Sequence, residues 1–384
     1  MKRIQYIYSA VVCALLVFAG CDKDAVDTPD TGEGEKVAIT LSAPSQPVTV
    51  DIESVRVSPS RDMQTRAETI NGRSIGVVAV NTDETTPLAA VDWSDYYLDH
   101  VRANGTNTPL NSEKEVVFAT PQWWPYNPAE YLAFVAYSPH NGGDGRVTRV
   151  GTSNTLKVTA NTTDAFPDFV YTEPVGPWNK ETAKAAPDKA VSLGEFQHAL
   201  AKLDIEVILV DKHGDPIPSA QFPNPNRLRI TELKVSTEVK NGEFNLLASP
   251  KAWTALDATG SEQTVRTHIS SSTTLTSDLP LYTGCMLLPG TEGKSYVTIT
   301  VQELQPTEST AVTMVTRKAK ISEFEVSAGV GAMLEMGKIT KLTIKVKYVA
   351  IPTPPDPEDP DVELILEGQL VEWDYKGEST VTIE

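Results

Sequence analysis

Residues 196–210 read FQHALAKLDIEVILV. From Ala199 onward the apolar residues fall at every second position, namely Ala199, Ala201, Leu203, Ile205, Val207 and Leu209, with Lys202, Asp204 and Glu206 among the residues between them. Successive side chains of an extended backbone point to opposite faces, so this period of two marks a strand with one buried side. A one-residue slip would turn the whole apolar set to water, which pins the register. His198 reads as the opening residue on the polar face of this strand. The same alternation recurs in Leu342, Ile344, Val346 and Tyr348, and again in Val297, Ile299 and Val301. Val48, Val50 and Ile52 alternate too, and Val55 and Val57 resume in the opposite phase, as a bulge near Ser54 would require. In 235–246, VSTEVKNGEFNL, the pair Asn241-Gly242 suits a type I′ turn, predicting a hairpin that sets Val239 against Phe244 and Lys240 against Glu243. Helix signals are confined to 91–99 and to 181–186, the latter stopped by Pro187. The expected fold class is all-β, built as antiparallel β-sandwiches.

Composition agrees and narrows function. The chain has 384 residues, 40% hydrophobic and 22% charged, enough apolar material for two or three domain-sized cores. Its 33 Lys and Arg against 51 Asp and Glu give a formal charge of −18, which repels phosphate backbones, so nucleic acid is excluded as a partner. The 27 Pro and 23 Gly favour short strands joined by turns. Catalysis needs convergent groups, and the chemistry-bearing residues are scattered. His100, His140, His198, His213 and His268 have no metal-ligand spacing, no cysteine pair suggests zinc, and neither a phosphate loop nor a nucleophile elbow is present. The acidic runs at 22–35 and 357–363 lack the regular oxygen spacing and central Gly of a calcium loop and read as solvated charge. No enzyme, no cofactor and no metal site are expected. Trp123, Trp124 and Tyr126 form an aromatic cluster whose first reading is core or edge packing; the alternative is a stacking platform for a glycan in a monomeric binding protein.

The opening MKRIQYIYSAVVCALLVFAGC places Lys2 and Arg3 before an apolar run that ends in small residues at Cys21, the pattern of an export signal. Phe18-Ala19-Gly20-Cys21 resembles the bacterial lipobox, although Leu is commoner at the Phe18 position. Residues 1–20 are therefore expected to be removed and Cys21 to carry lipid. Loss of Lys2 and Arg3 makes the mature chain two charges more negative. Cys13 would leave with the leader, so Cys285 would stand alone without a disulfide partner, and LYTGCMLLPG reads as a buried strand around it. Residues 21–36 form an acidic tether.

Further organisation follows from composition. A polar, helix-poor stretch around 175–192 separates two strand-rich halves, predicted as an N-terminal β-sandwich domain over 37–190 and a C-terminal one over 191–351. Residues 352–361, with Pro352, Pro354, Pro355, Pro357 and Pro360, make a stiff extended segment, and 362–384 add terminal strands.

Taken in order, SIGVVAV (74–80), PQWWPYNPAEYLAFVAYSP (121–139), FQHALAKLDIEV (196–207) and GKITKLTIKV (337–346) followed by QLVEW (369–373) resemble the fimbrillin-like proteins of the Bacteroidetes. The resemblance spans nearly the whole mature chain, and its most specific parts are the Trp-Pro before a Tyr-rich strand and His-Ala-Leu-Ala-Lys at 198–202. It implies a lipoprotein precursor with two tandem transthyretin-like sandwiches, held on the cell outer membrane by lipid with its body exposed, and partnering other fimbrial subunits and a surface receptor or glycan. It also implies assembly by strand exchange. An Arg-specific protease would free an N-terminal strand from within 37–57, cutting at Arg66, with Arg61 and Arg73 as alternatives. The donated strand would come from 362–384, with Val362, Leu364, Leu366, Leu370, Trp373, Val381 and Ile383 as its apolar residues. The other role open to 362–384 is closing its own domain.

Overall fold

The computed structural model describes residues 36–44, 72–110, 113–141, 146–159, 168–187, 189–211, 213–217, 228–270, 273–274, 282–304, 311–327, 329–348 and 362–372. The first strands are β1 (Leu41–Pro44), β2 (Ser74–Thr82), β3 (Tyr96–Leu110), β4 (Glu113–Phe118), β5 (Tyr131–Ser138), β6 (Val147–Arg149), β7 (Thr155–Thr159), β8 (Val170–Tyr171) and β9 (Val175–Trp178). A short helix, α1 (Lys180–Ala185), separates these from β10 (Val191–Ser192), β11 (Gln197–His198), β12 (Ala201–Val210), β13 (Leu228–Asn245) and β14 (Trp253–Ile269). There follow β15 (Thr273–Thr274), β16 (Tyr282–Leu287), β17 (Ser295–Leu304), β18 (Ala311–Lys320), β19 (Glu325–Ser327), β20 (Val330–Gly331), β21 (Lys338–Tyr348) and β22 (Val362–Glu372). The all-β class holds.

These strands form three sheets. The first runs β10-β1-β4-β3-β2-β5-β8-β11, with β9 also on β5. The second runs β18-β17-β13-β7-β6, with β14 and β15 also on β13, and the third runs β16-β12-β21-β22-β19-β20. The strand read first from sequence, β12, lies between β16 and β21 in the third sheet. Leu203, Ile205, Val207 and Leu209 of β12 and Leu342, Ile344 and Val346 of β21 share one core with Val297, Ile299 and Val301 of β17 in the second sheet. Cys285 of β16 is in the same core, and burial pushes its thiol up to about 12, so it packs as a small apolar side chain.

In the first sheet, β2 and β5 are buried on both faces, which explains why SIGVVAV and YLAFVAY are nearly unbroken apolar runs. Ile75, Val77, Leu132 and Phe134 fill one core, whereas Val78, Val135 and Tyr137 face a second. That second core takes Leu156 and Val158 of β7 and Val239 and Phe244 of β13, so strands from either side of residue 190 line it together. The pairing matches: β7 from the N-terminal part bonds β13, while β10 and β11, just past 190, bond β1 and β8.

The expected hairpin at Asn241-Gly242 is absent, because β13 passes straight through it. Asn241 is opposite Thr159 of β7 on one side and Asp257 of β14 on the other. A ladder on both edges outweighs a local turn preference. Gly242 serves a different need, since a Cβ there would sit 2.8 Å from the Trp253 ring. The helix expected over 91–99 is also absent: Ser94 donates from its backbone N–H and its hydroxyl to Asp92 Oδ1, an Asx turn that leads directly into β3. α1 matches the expected second helix, capped by Asn179, whose Oδ1 accepts from the Thr182 N–H at 2.8 Å while the Thr182 hydroxyl accepts from the Asn179 N–H at 2.9 Å.

Asp204 breaks the polar face of β12. It is buried, its nearest cation is Lys202 Nζ at 3.7 Å, and Oδ1 meets no hydrogen-bond partner among the described residues. Burial raises its carboxyl above the ordinary range. The charged form therefore destabilises the fold as pH rises past that range. Asp204→Asn is expected to stabilise the protein at pH 7 by about 1 kcal/mol, read as a higher urea midpoint, and the gain should vanish towards pH 4.

Candidate functional site

The N-terminal segment 37–44 lies in the first sheet with hydrogen bonds along both edges. β1 pairs antiparallel with β4, Leu41 opposite Val116, and parallel with β10, Leu41 opposite Val191. Upstream of β1, the Ile39 N–H donates to the Gln122 carbonyl at 2.8 Å and the Trp124 N–H to the Val37 carbonyl at 2.9 Å; on the other edge, the Val191 and Leu193 N–H groups donate to Thr40 and Ser42. Alternation at Val37, Ile39, Leu41 and Ala43 drives this placement, and Ile39, Leu41 and Ala43 join the first core. The segment is thus a middle strand, and its removal would leave a slot with two unsatisfied edges and an apolar floor.

At the other end of the chain, β22 pairs antiparallel with β21 along its whole length, Leu364 opposite Val346, Leu366 opposite Ile344 and Leu370 opposite Thr340. Its other edge meets β19 at Glu367, opposite Glu325. Val362, Leu364, Leu366 and Leu370 therefore occupy a middle strand of their own sheet. Trp373, Val381 and Ile383 lie outside the described residues, as do Cys21, Arg61 and Arg66.

Arg73 is held. Gly105 N–H donates to its carbonyl at 3.0 Å, and its Nη1 donates to the Asp168 carbonyl at 3.2 Å. Asp168 Oδ2 in turn hydrogen-bonds His198 Nδ1, both side chains buried. His198 is not the polar-face start of β12. It belongs to β11, opposite Val170, and with Ala199 and Leu200 it forms the step from the first sheet into the third. The signal missed in the sequence is Asp168, thirty residues upstream, which makes a buried histidine acceptable.

The aromatic cluster is split. Trp124 is 6% exposed and meets Phe134 edge-on with centroids 6.1 Å apart, so it is a core residue. Trp123 and Tyr126 are 45% and 63% exposed. Among the described residues no cluster of His, Cys, Asp and Glu could hold a metal ion, and no helix is long and apolar enough to cross a membrane.

The model of one family, described as fimbrillin-like, matches residues 65–358. The chain belongs to the fimbrillin-like family. That membership supports the role of a fimbrial subunit at the cell surface. No curated protein matches this fimbrillin-like chain. Among solved structures it is similar to a candidate cell adhesion protein from Bacteroides uniformis, with 13% identity, a TM-score of 0.46, and 88% of this chain and 98% of that one covered. It is also similar to a fimbrial assembly protein from Parabacteroides distasonis, at 12% identity and a TM-score of 0.37, covering 88% and 99%. A fimbrilin from Porphyromonas gingivalis matches at 10% identity and a TM-score of 0.35, covering 88% and 97%.

Proposed function

We propose that this fimbrillin-like chain is a surface lipoprotein that builds a fimbria by strand exchange and supports adhesion. Removal of 1–20 leaves Cys21 acylated, and 21–36 tethers the body to the outer membrane. The body divides near 190 into sandwiches over 37–190 and 191–351 that trade strands across the division. Cleavage at Arg66 frees β1, and a strand from 362–384 of another subunit, self or sister, fills the vacated slot. The single observation that carries this reading is the placement of 37–44, a middle strand joined to the rest of its sheet through 45–71, where Arg61 and Arg66 lie. Arg73 is a poor alternative, because its backbone and guanidinium are engaged with the body.

The magnitude is suitable. Burying an Ile and a Leu side chain is worth on the order of 3–6 kcal/mol gross, and main-chain hydrogen bonds on both edges add specificity of register. Such a head-to-tail joint does not close on itself and grows a filament. N-terminal sequencing of protein recovered from cell surfaces should start at Ala67, strand-exchanged chains should give a heat-sensitive ladder on gels, and Arg66→Ala should abolish both. A blocked Cys21 on every molecule, with the ladder intact in the variant, would refute exchange by this route.

A further inference from the structure

We infer that residues 190–193 are a strap over β1, fastened by a hydrogen bond from Ser192 to Glu113, and that this fastening sets how readily β1 opens from its sheet. This rests on the exchange reading above and names what holds the strand until release.

β1 lies between β4 and β10, and its two neighbours hold it unequally. β4 pairs with it over four residues, Leu41 to Pro44, whereas β10 pairs with it over two, Leu41 beside Val191 and Ser42 beside Ser192. On the β10 side the Val191 and Leu193 N–H groups donate to the Thr40 and Ser42 carbonyls, each at 2.9 Å. The chain bends away at both ends of this short stretch, with a φ of 52° at Lys189 and 75° at Gly194. A two-residue parallel pairing is weak by itself. A middle strand leaves its sheet only when a neighbour parts from it, and β10 is the neighbour with the shorter pairing.

A side-chain bond reinforces it. The Ser192 hydroxyl donates to Glu113 Oε1 at 2.7 Å. Glu113 is opposite Pro44 on β4 and Ser192 is beside Ser42 on β10, so this bond joins the two neighbours of β1 across it. Two strand spacings come to about 10 Å, which a glutamate and a serine reaching towards each other cover. The burial of β1 marks the crossing. Alternation puts Ala38, Thr40 and Ser42 on the face away from the core that Ile39, Leu41 and Ala43 enter. On that outer face Ala38 is exposed and Thr40 half-buried, yet Ser42 is only 1% exposed. Glu113 Oε2 is buried as well and meets no hydrogen-bond partner among the described residues. The carboxylate therefore lies against the sheet instead of reaching into water, and its hydrogen bond to Ser192 is of the stronger, charge-assisted kind. The fastening sits at the Pro44 end of β1, the end from which the chain continues towards Arg66.

The first arm of the test is hydrogen exchange on the uncut protein, read by mass spectrometry. Ser192→Ala and Glu113→Ala should each speed exchange over 37–44 and 190–193 at least tenfold and leave β2 and β5 at the wild-type rate. The double variant should exchange no faster than either single one, and Glu113→Gln, which keeps an acceptor, should stay within threefold of the wild type. Wild-type exchange over 37–44 in either alanine variant overturns the strap. Equal acceleration in β2 and β5 overturns it too, since that would be a general loosening. The second arm cuts the protein at Arg66 and follows loss of the N-terminal fragment by gel filtration, which should be at least tenfold faster in Ser192→Ala than in the wild type. Faster exchange over 37–44 in both alanine variants with the fragment retained by all of them supports the strap and overturns the exchange reading.

Discussion

Gly76→Ala is expected to destabilise the protein by about 3 kcal/mol, seen as a large drop in the urea midpoint. A Cβ at Gly76 would lie 2.3 Å from Cζ of the Tyr137 ring, well inside contact distance. The backbone there has no left-handed conformation to preserve, so the requirement is one of space alone. A flexible side chain would move aside, but Tyr137 is fully buried, with its hydroxyl donating to Asn141 Oδ1 at 2.8 Å and lying 3.0 Å from His100 Nδ1. Swinging the ring away breaks both contacts and disturbs the second core, where it packs against Phe169. Gly293→Ala is the control, since a Cβ there meets nothing within 4 Å and should change little. The cause is tested by pairing Gly76→Ala with Tyr137→Ala. The two costs should be strongly sub-additive, because the small side chain at 137 leaves room for the new methyl. Simple additivity would mean that the strain comes from elsewhere.

Much of the fold was legible in period-two patterning, and its failures share a cause. The alternation of Leu203 to Leu209 and of Leu342 to Val346 named the buried faces of β12 and β21, because each faces one core. The runs around Val78 and Val135 carry no period, since both faces are buried, and nothing local says what covers the second face. Asn241-Gly242 was misread for the same reason: the ladders to β7 and β14 that hold the strand straight come from elements far away in sequence. His198 depends on Asp168, and the slot depends on β10, only two residues long. In the site, a strand was legible only somewhere within 37–57, from the alternation at Val48, Val50 and Ile52, which lie outside the described residues, whereas the burial of Leu41, Ser42 and Ala43 on both faces emerges only from the structure.

Acid should loosen the same region that Gly76 serves. His100 is buried in β3 with a positive φ of 51°, and desolvation, helped by the Arg149 guanidinium, brings its imidazole down to about 4. Asp99 and a hydrogen bond involving Asn154 oppose that shift without cancelling it. An unfolded histidine titrates near 6.5, so between pH 6.5 and about 4 the unfolded chain takes up a proton that the folded chain refuses. Stability contributed by the neutral ring is whole above pH 6.5 and drains as pH falls, by on the order of 3 kcal/mol at pH 4. His268 in β14, brought down to about 4 by burial and then by Arg266, should drain in the same direction. Urea midpoints measured from pH 7.5 to 4 should fall steadily, and His100→Asn, chosen because asparagine tolerates a positive φ, should remove about half of the slope while lowering stability at pH 7. An unchanged slope in that variant would place the acid sensitivity outside this network. Since the His140 side chain bonds the His100 carbonyl at 2.9 Å and the His140 N–H bonds the Ser74 carbonyl at 3.0 Å, a protonated His100 loosens the start of β2, the strand that follows the proposed cleavage segment. Protease cutting at Arg66 should then be faster at pH 4 than at pH 7.5 in the wild type, after correction for the enzyme's own pH profile, and the acceleration should be smaller in His100→Asn.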